Sequence, residues 1–270
     1  MQKLVIRCSS LFKLMSNPTG KTNLEKYEAT VNSLEESRIK YEAVTNKETK
    51  TALKLHAKII DLKALAVEQK RVKDVVILSQ TCKTWLKEEA KQFFYGYNSE
   101  IKSKYFEKGH KNEDAAIVLL NEKLGTTFIK NEERKTNGWL TGECDLNDVK
   151  NKTIRDIKNA WSLETFPAFK EDVDKKADES GYIWQQKGYL ILWKYKRAFV
   201  DYCFTETPDN LLSVFDNKTV HKYNPKIKNV KYITPSSEIV LEDGEEAEIK
   251  RRHKYAQIYY NELINELKAK

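Results

Sequence analysis

The sequence predicts an α/β fold of the α+β type, a central mixed β-sheet flanked by helices and preceded by an N-terminal helical insertion. Three observations predict it. Between positions 24 and 94 apolar residues recur at three- and four-residue steps, the spacing of one helix face. Further on, two strand-like segments, "GWLTGECDL" and "KTIRDIKNAW", flank the turn "NDVKNK". After them come an aromatic-rich helical stretch, a third strand-like segment and a long amphipathic end, an order that mixes helix with strand.

Residues 3–15, "KLVIRCSSLFKLM", begin like a short strand and end like a short helix, and "SNPTGKT" breaks the chain. Leu24, Tyr27, Val31, Leu34, Tyr41 and Val44 then form a nearly heptad stripe that Arg38 interrupts. "TNKETK" is a joint. A second helix carries Leu55, Ile59, Leu62 and Ala66 on one face, and a third runs from about Val72 through Trp85 to Phe94. Helix–helix packing accounts for these stripes. A second reading is an arm over a substrate groove or between subunits, with Lys40, Lys50, Lys54, Lys58 and Lys63 facing a phosphate backbone. A lysine-rich solvated face explains those lysines equally well.

"NEDAAIVLLNEKLG" is a clear helix, with Asn112 at its N-cap and Gly125 at its C-terminal stop. The strand pair follows. "PAFKEDVDKKADES" reads as a polar loop leading into the helix "GYIWQQKGYLILWKYK". "AFVDYCFT" reads as a strand, and "TPDNLLSVF" as a proline-initiated turn with a short helix. The closing helix has Ile249, Ala256, Tyr260 and Ile264 as inner positions. The organisation expected is one domain over 1–270, with 22–95 a helical insertion or arm, 96–235 the core and 243–270 the closing helix.

Composition narrows the function. The chain of 270 residues carries 48 Lys+Arg against 40 Asp+Glu, a formal charge of +8, which favours a polyanionic partner such as nucleic acid. Cys8, Cys82, Cys144 and Cys203 are isolated, with no metal-ligand spacing, so reduced thiols are expected. No apolar run approaches the roughly 18 residues that a membrane span needs. The start lacks a signal peptide's apolar stretch, so the expected location is the cytoplasm. No P-loop, dinucleotide fingerprint or Gly-x-Ser-x-Gly elbow is present, which leaves NTPase, dehydrogenase and esterase readings without support. The four histidines do not cluster and receive no catalytic role.

The chemistry concentrates in the strand pair. Alternation puts Asp156 and Lys158 on one strand face and Ile157 on the other. A hairpin brings Asp145 alongside. Two carboxylates beside an ammonium make a hard-oxygen site suited to Mg2+ or Mn2+. By itself an acidic-x-Lys triplet is unspecific, since "ETK", "DLK" and "DVK" occur elsewhere in this charged chain. Context singles out "DIK": it follows the turn and has "GECD" just upstream.

Taken together, "GECDL" and "RDIKNAWSLETF" resemble the core of the PD-(D/E)XK nucleases, in particular the lambda-exonuclease-like, or YqaJ-like, branch of phage recombination nucleases. "EKGHKNEDAAI" resembles that branch's N-terminal motif, which implies Glu113 in the site. "YIWQQKGYLILW" resembles its helix after the core, with Gln185 and Tyr189 four residues apart. "IRCSSLFKLM" resembles the segment associated with a 5′ phosphate and matches Arg7 and Ser10; Ser9 is an alternative to Ser10. The resemblance touches residues 5–15 and about 105–205 and leaves 22–95 uncovered.

What the resemblance implies is a restriction-endonuclease-like core in an Mg2+-dependent deoxyribonuclease, an exonuclease that resects linear double-stranded DNA ends for recombination. Mn2+ would substitute for Mg2+. Glu113, Asp145, Asp156 and the Ile157 carbonyl would hold the metal, Lys158 would position the attacking water, and Gln185 would steady the site. Arg7, Ser10 and Tyr189 would contact substrate. A single-strand-annealing recombinase is the implied partner, no membrane is involved, and relatives include both ring-forming and monomeric arrangements. Asp148 competes with Asp145 for its role, and Gln186 with Gln185. Two other functions stay open at this point: a structure-specific or restriction-like endonuclease of the same superfamily, and a basic DNA-binding protein without catalysis.

Overall fold

In a computed structural model that describes residues 2–99 and 103–269, the chain folds as two small mixed sheets wrapped by nine helices among those residues. The start is β1 (Ile6–Arg7), a single 3-10 turn (Cys8–Ser10) and α1 (Leu11–Met15), the strand-to-helix order expected. Next come α2 (Asn23–Glu42), α3 (Lys50–Val72) and α4 (Gln80–Tyr95). Each begins on a hydroxyl cap: Thr22 accepts from Glu25 N, Thr49 from Ala52 N and Ser79 from Cys82 N. At Thr22 the Glu25 side chain answers to complete a capping box.

Helices α5 (Lys104–Lys111) and α6 (Glu113–Leu124) precede the strands β2 (Lys135–Thr136), β3 (Leu140–Gly142), β4 (Leu146–Asp148) and β5 (Thr153–Asn159). Then follow α7 (Lys170–Glu179), α8 (Tyr182–Trp193), β6 (Arg197–Cys203), β7 (Ser237–Val240) and α9 (Glu245–Lys268). One sheet has the order β1-β3-β2, the other β4-β5-β6-β7. In the second, β5 runs parallel to β6 and antiparallel to β4.

The pivot between the sheets is α8. Eight of its 12 residues are buried, and it touches β2 and β3 of one sheet and β5, β6 and β7 of the other. A helix apolar on nearly all sides belongs in a core. It comes close because two glycines clear the way. A Cβ on Gly142 would lie 2.6 Å from Cys8 Sγ and 2.7 Å from the Tyr189 ring, and one on Gly188 2.9 Å from Cys8 Sγ.

Several expectations change in detail. "GWLTGECDL" is not one strand: β3 and β4 lie in different sheets, and Glu143–Asp145 crosses between them. The polar loop expected at 167–180 contains α7, which buries Val173 and Ala177, one turn apart. The third helix starts at Gln80, not Val72, because Ser79 caps it. Strands β2 and β7 and helix α5 are additions to the sequence reading.

The 22–95 stretch divides in two. Cys82, Trp85, Leu86 and Ala90 of α4 join the main hydrophobic cluster beside α1 and α9. Helices α2 and α3 pair with each other as an antiparallel hairpin. Along it Tyr41 stacks on His56 (ring centroids 5.5 Å apart) and Lys73 lies over Tyr27. The closing helix α9 buries Ile249, Ala256, Tyr260 and Ile264, as its periodicity predicts. It also clasps the chain's first strand: Gln257 Oε1 accepts from Leu4 N (2.7 Å), and His253 Nε2 donates to Leu4 O (3.0 Å). Arg252 donates to the carbonyls of Met15 and Ser16. All four cysteines are free and buried. Among the described residues no helix is long and apolar enough to cross a membrane.

Candidate active site

Strands β4 and β5 pair with Leu146 opposite Arg155, a register that sets Asp145 level with Asp156. Asp145 Oδ2 accepts a hydrogen bond from Ile157 N (2.7 Å), which fixes the carboxylate against β5. Ile157 turns away to the cluster of Leu119, Leu120 and Leu146 and anchors the strand. Asp156 is 1% exposed; its Oδ2 ion-pairs with Lys158 and has no other partner among the described residues. Both aspartates and the lysine therefore meet as alternation predicts.

Burial, then the charge of Asp156, raises Asp145 well above the usual carboxylate range; Lys158 and the Ile157 N–H offset only part of this. Burial pulls the Lys158 ammonium down, but Asp156, Asp145 and Tyr182 together outweigh it and hold the group above the ordinary lysine range.

Glu113, the first residue of α6, ion-pairs with Lys130 at 2.7 Å. It lines a cavity of about 460 Å3 together with Asp145, Ile157, Lys158, His110 and Tyr182. Tyr105 and Phe106, exposed on α5, form the rim. Lys130 was missed by the sequence reading and has no local motif. His110, which the sequence reading gave no catalytic role, also lines the cavity, from the last turn of α5, three residues before Glu113 opens α6.

Gln185 and Tyr189 share one face of α8, with Gln185 Nε2 donating to Tyr189 Oη (2.8 Å). Both are buried, at 9% and 4% exposure, and Tyr189 packs on Gly142. Burial, then Asp156, raises the Tyr189 hydroxyl pKa, so this tyrosine lies within electrostatic reach of the aspartates. Gln186 is fully buried, and among the described residues neither of its amide atoms has a hydrogen-bond partner. Asp148 is turned to Asn151. Arg7, Ser9 and Ser10 line a different cavity, of about 720 Å3, opposite Thr84 and Gln92 of α4. Both serines face it, so neither is singled out.

The turn before Glu113 is fastened to the sheet. Lys108, 1% exposed, donates from Nζ to Ala160 O (2.6 Å) and Trp161 O (3.0 Å), just beyond β5. One turn on, Asn112 Nδ2 donates to Thr205 Oγ1 and Glu206 O, beyond β6. Asn112 is the N-cap position of α6, as predicted, yet its side chain caps nothing because it is used here. Burial lowers the Lys108 pKa to about 8. The unfolded chain would titrate near 10.4. The folded state thus carries a penalty that is fully present below pH 8 and fades as pH rises towards 10. Urea titrations are expected to show the native chain gaining stability relative to Lys108→Met between pH 8 and 10. A constant difference over that range would contradict this.

The donor set suits a hard dication in kind. The side chains of Asp156, buried, and Asp145, half-buried, stand level on neighbouring strands, and every donor is oxygen. Among the described residues no three His, Cys, Asp or Glu side chains already form a metal cage. Instead, Glu113 is spent on Lys130 and Asp156 on Lys158.

No protein-family model and no curated protein matches the sequence. Among solved structures, the chain is similar to a phage-related exonuclease from Haemophilus somnus 129PT, with a TM-score of 0.75 and 28% identity. That alignment covers 98% of this chain and 97% of the other. A weaker likeness, with a TM-score of 0.47 and 15% identity, is to an alkaline exonuclease from Laribacter hongkongensis, covering 74% of this chain and 89% of that one.

Proposed function

The chain has the fold of the lambda-exonuclease-like, or YqaJ-like, nucleases of the PD-(D/E)XK superfamily, and from that premise we propose that it is a metal-dependent deoxyribonuclease resecting linear double-stranded DNA ends. The observation that carries this reading is the buried Asp156 beside Lys158, with the half-buried Asp145 level with it and lining the cavity where Glu113 and Lys158 stand. The full-length likeness to a phage-related exonuclease supports the end-resecting form and a phage or prophage origin; a part in recombination is what the motif resemblance implies. The cytoplasm of a bacterial host is the setting this implies, with a single-strand-annealing protein as partner.

Glu113, Asp145, Asp156 and the carbonyl of Ile157 would hold Mg2+ or Mn2+. When bound, the ion supplies a Lewis acid at the phosphoryl oxygen and lowers the pKa of water. Lys158, kept protonated by its carboxylate neighbours, aims positive charge at the oxygen where negative charge develops. The Gln185–Tyr189 hydrogen bond runs along one face of α8 and fixes the Gln185 amide, through which this residue would steady the site. Arg7 and the Ser9–Ser10 hydroxyls suit a terminal phosphate as donors. Those side chains, not the helix terminus, would make that subsite, since α1 has only five residues.

The test is cleavage of 5′-phosphorylated linear duplex DNA beside closed circular DNA, in Mg2+ and in EDTA. Loss of the linear substrate alone, in Mg2+ alone, is expected. Nicking of the circle would move the function to an endonuclease. Undiminished cleavage in EDTA would overturn the metal assignment. Salt-sensitive binding without cleavage would favour the non-catalytic reading.

A further inference from the structure

We infer that the α2–α3 hairpin is a self-association surface, on which a second copy of this chain lays its own hairpin to close an antiparallel four-helix bundle. Two rows on the hairpin point to this, and neither belongs to the cavities described above.

The first row is apolar. Helix α3 carries two seams. Ala52 and Ile59 are buried on the inner one, towards α2. The outer one is Leu53, Ala57, Ile60, Ala64 and Val67, at steps of four, three, four and three, and every member is exposed. Leu53, Ile60 and Val67 show 59%, 55% and 59% of their surface. This is the a/d repeat of a helix that packs on another helix, continued over about 21 Å. A face meant for a phosphate backbone has no use for that repeat.

The second row is charged and tells which helix fits. Glu28, Glu35 and Glu42 recur every seven residues on α2; His56, Lys63 and Lys70 recur every seven on α3, and all six are exposed. The Tyr41–His56 and Tyr27–Lys73 contacts set Glu42 level with His56, Glu35 with Lys63 and Glu28 with Lys70. Yet among the described residues no ion pair joins α2 to α3; the pair recorded for Glu35 is with Arg38 of its own helix. A two-fold axis parallel to the hairpin preserves every height and sets α2 of one copy antiparallel beside α3 of the other. Each glutamate then meets its basic counterpart on the second copy, twice over by symmetry. By the same register Val31, exposed on α2, stands level with Val67 in the outer seam of the second copy, while Arg38 and Thr45 stand level with Ile60 and Leu53.

The test uses the full chain in sedimentation equilibrium. The wild type is expected at twice its 31.6 kDa, and Ile60→Glu with Val67→Glu at the monomer mass. Glu35→Lys alone and Lys63→Glu alone should each raise the dimer dissociation constant about tenfold, since each contact occurs twice. Together they should restore it to within about threefold. Far-UV circular dichroism checks that each variant folds; if the apolar double variant does not, the charge exchange decides. A wild type that stays monomeric at tens of micromolar overturns the inference, as does a dimer indifferent to both sets of substitutions. A monomer whose Ile60→Glu/Val67→Glu variant loses DNA affinity would assign the face to nucleic acid and overturn it equally.

Discussion

Asp156→Asn is expected to lower cleavage of linear duplex DNA by about a thousandfold or more while leaving the fold and DNA affinity close to wild type. Asparagine matches aspartate in size, and the site is 1% exposed, so the packing is retained. Two things are lost. One is a carboxylate that the proposed divalent ion would need. The other is the charge that holds Lys158 protonated and in place. Removing a charge from the floor of a basic protein's cleft does not weaken its attraction for phosphates. Turnover on end-labelled duplex, with affinity measured separately in Ca2+, separates the two effects. A variant that cleaves at the wild-type rate would remove Asp156 from the chemistry and with it the proposed site.

Arg155→Met is expected to cost about 3 to 5 kcal/mol of stability. Arg155 Nη1 bridges both oxygens of Asp201, at 3.0 and 2.8 Å, and Asp201 is fully buried in the neighbouring strand β6. Ser236 completes the group. Burial raises the Asp201 pKa, and Arg155 is the main influence that lowers it again. Without the guanidinium, a carboxylate is left alone inside the sheet. Replacing both partners should be milder, because Arg155→Met with Asp201→Leu leaves no buried charge. Urea unfolding of the two variants decides it. A single variant within 1 kcal/mol of wild type, on the order of experimental scatter, would show that the pair is not an isolated buried charge pair.

The site was more legible in the sequence than the sheets that hold it. Strand alternation is local, so Asp156 and Lys158 could be placed together, and a short turn was enough to add Asp145. Glu113 came from a motif, not from spacing; nothing local ties "NEDAAI" to a strand more than forty residues on, and the ties found are Lys108 and Asn112. Lys130 was invisible because an ion pair across 17 residues leaves no periodic trace. The split of "GWLTGECDL" also lay beyond sequence reading, since it depends on which sheet each half joins. Helix α7 went unseen because two buried residues among ten are too few to mark a stripe. Strand β7 has four residues, and although burial alternates along it, its sequence SEIV does not alternate polar with apolar. The 22–95 stretch looked uniform because an inner seam on α4 and one on α3 have the same period, although only α4 meets the main core.

The clasp between α9 and the first strand bears on how the chain is made. Leu4, Met15 and Ser16 are made well before the groups that satisfy them, which sit on Arg252, His253 and Gln257. Contacts separated by some 250 positions are slow to form and come last. Until α9 appears, the cluster of Ile6, Leu11 and Leu14 lacks its cover of Ile249, Ala256 and Tyr260. A nascent chain still on the ribosome therefore carries its carboxylates and lysine in the right order but no closed body to hold them. The proposed cut at a DNA end would be withheld until α9 has packed on the first strand.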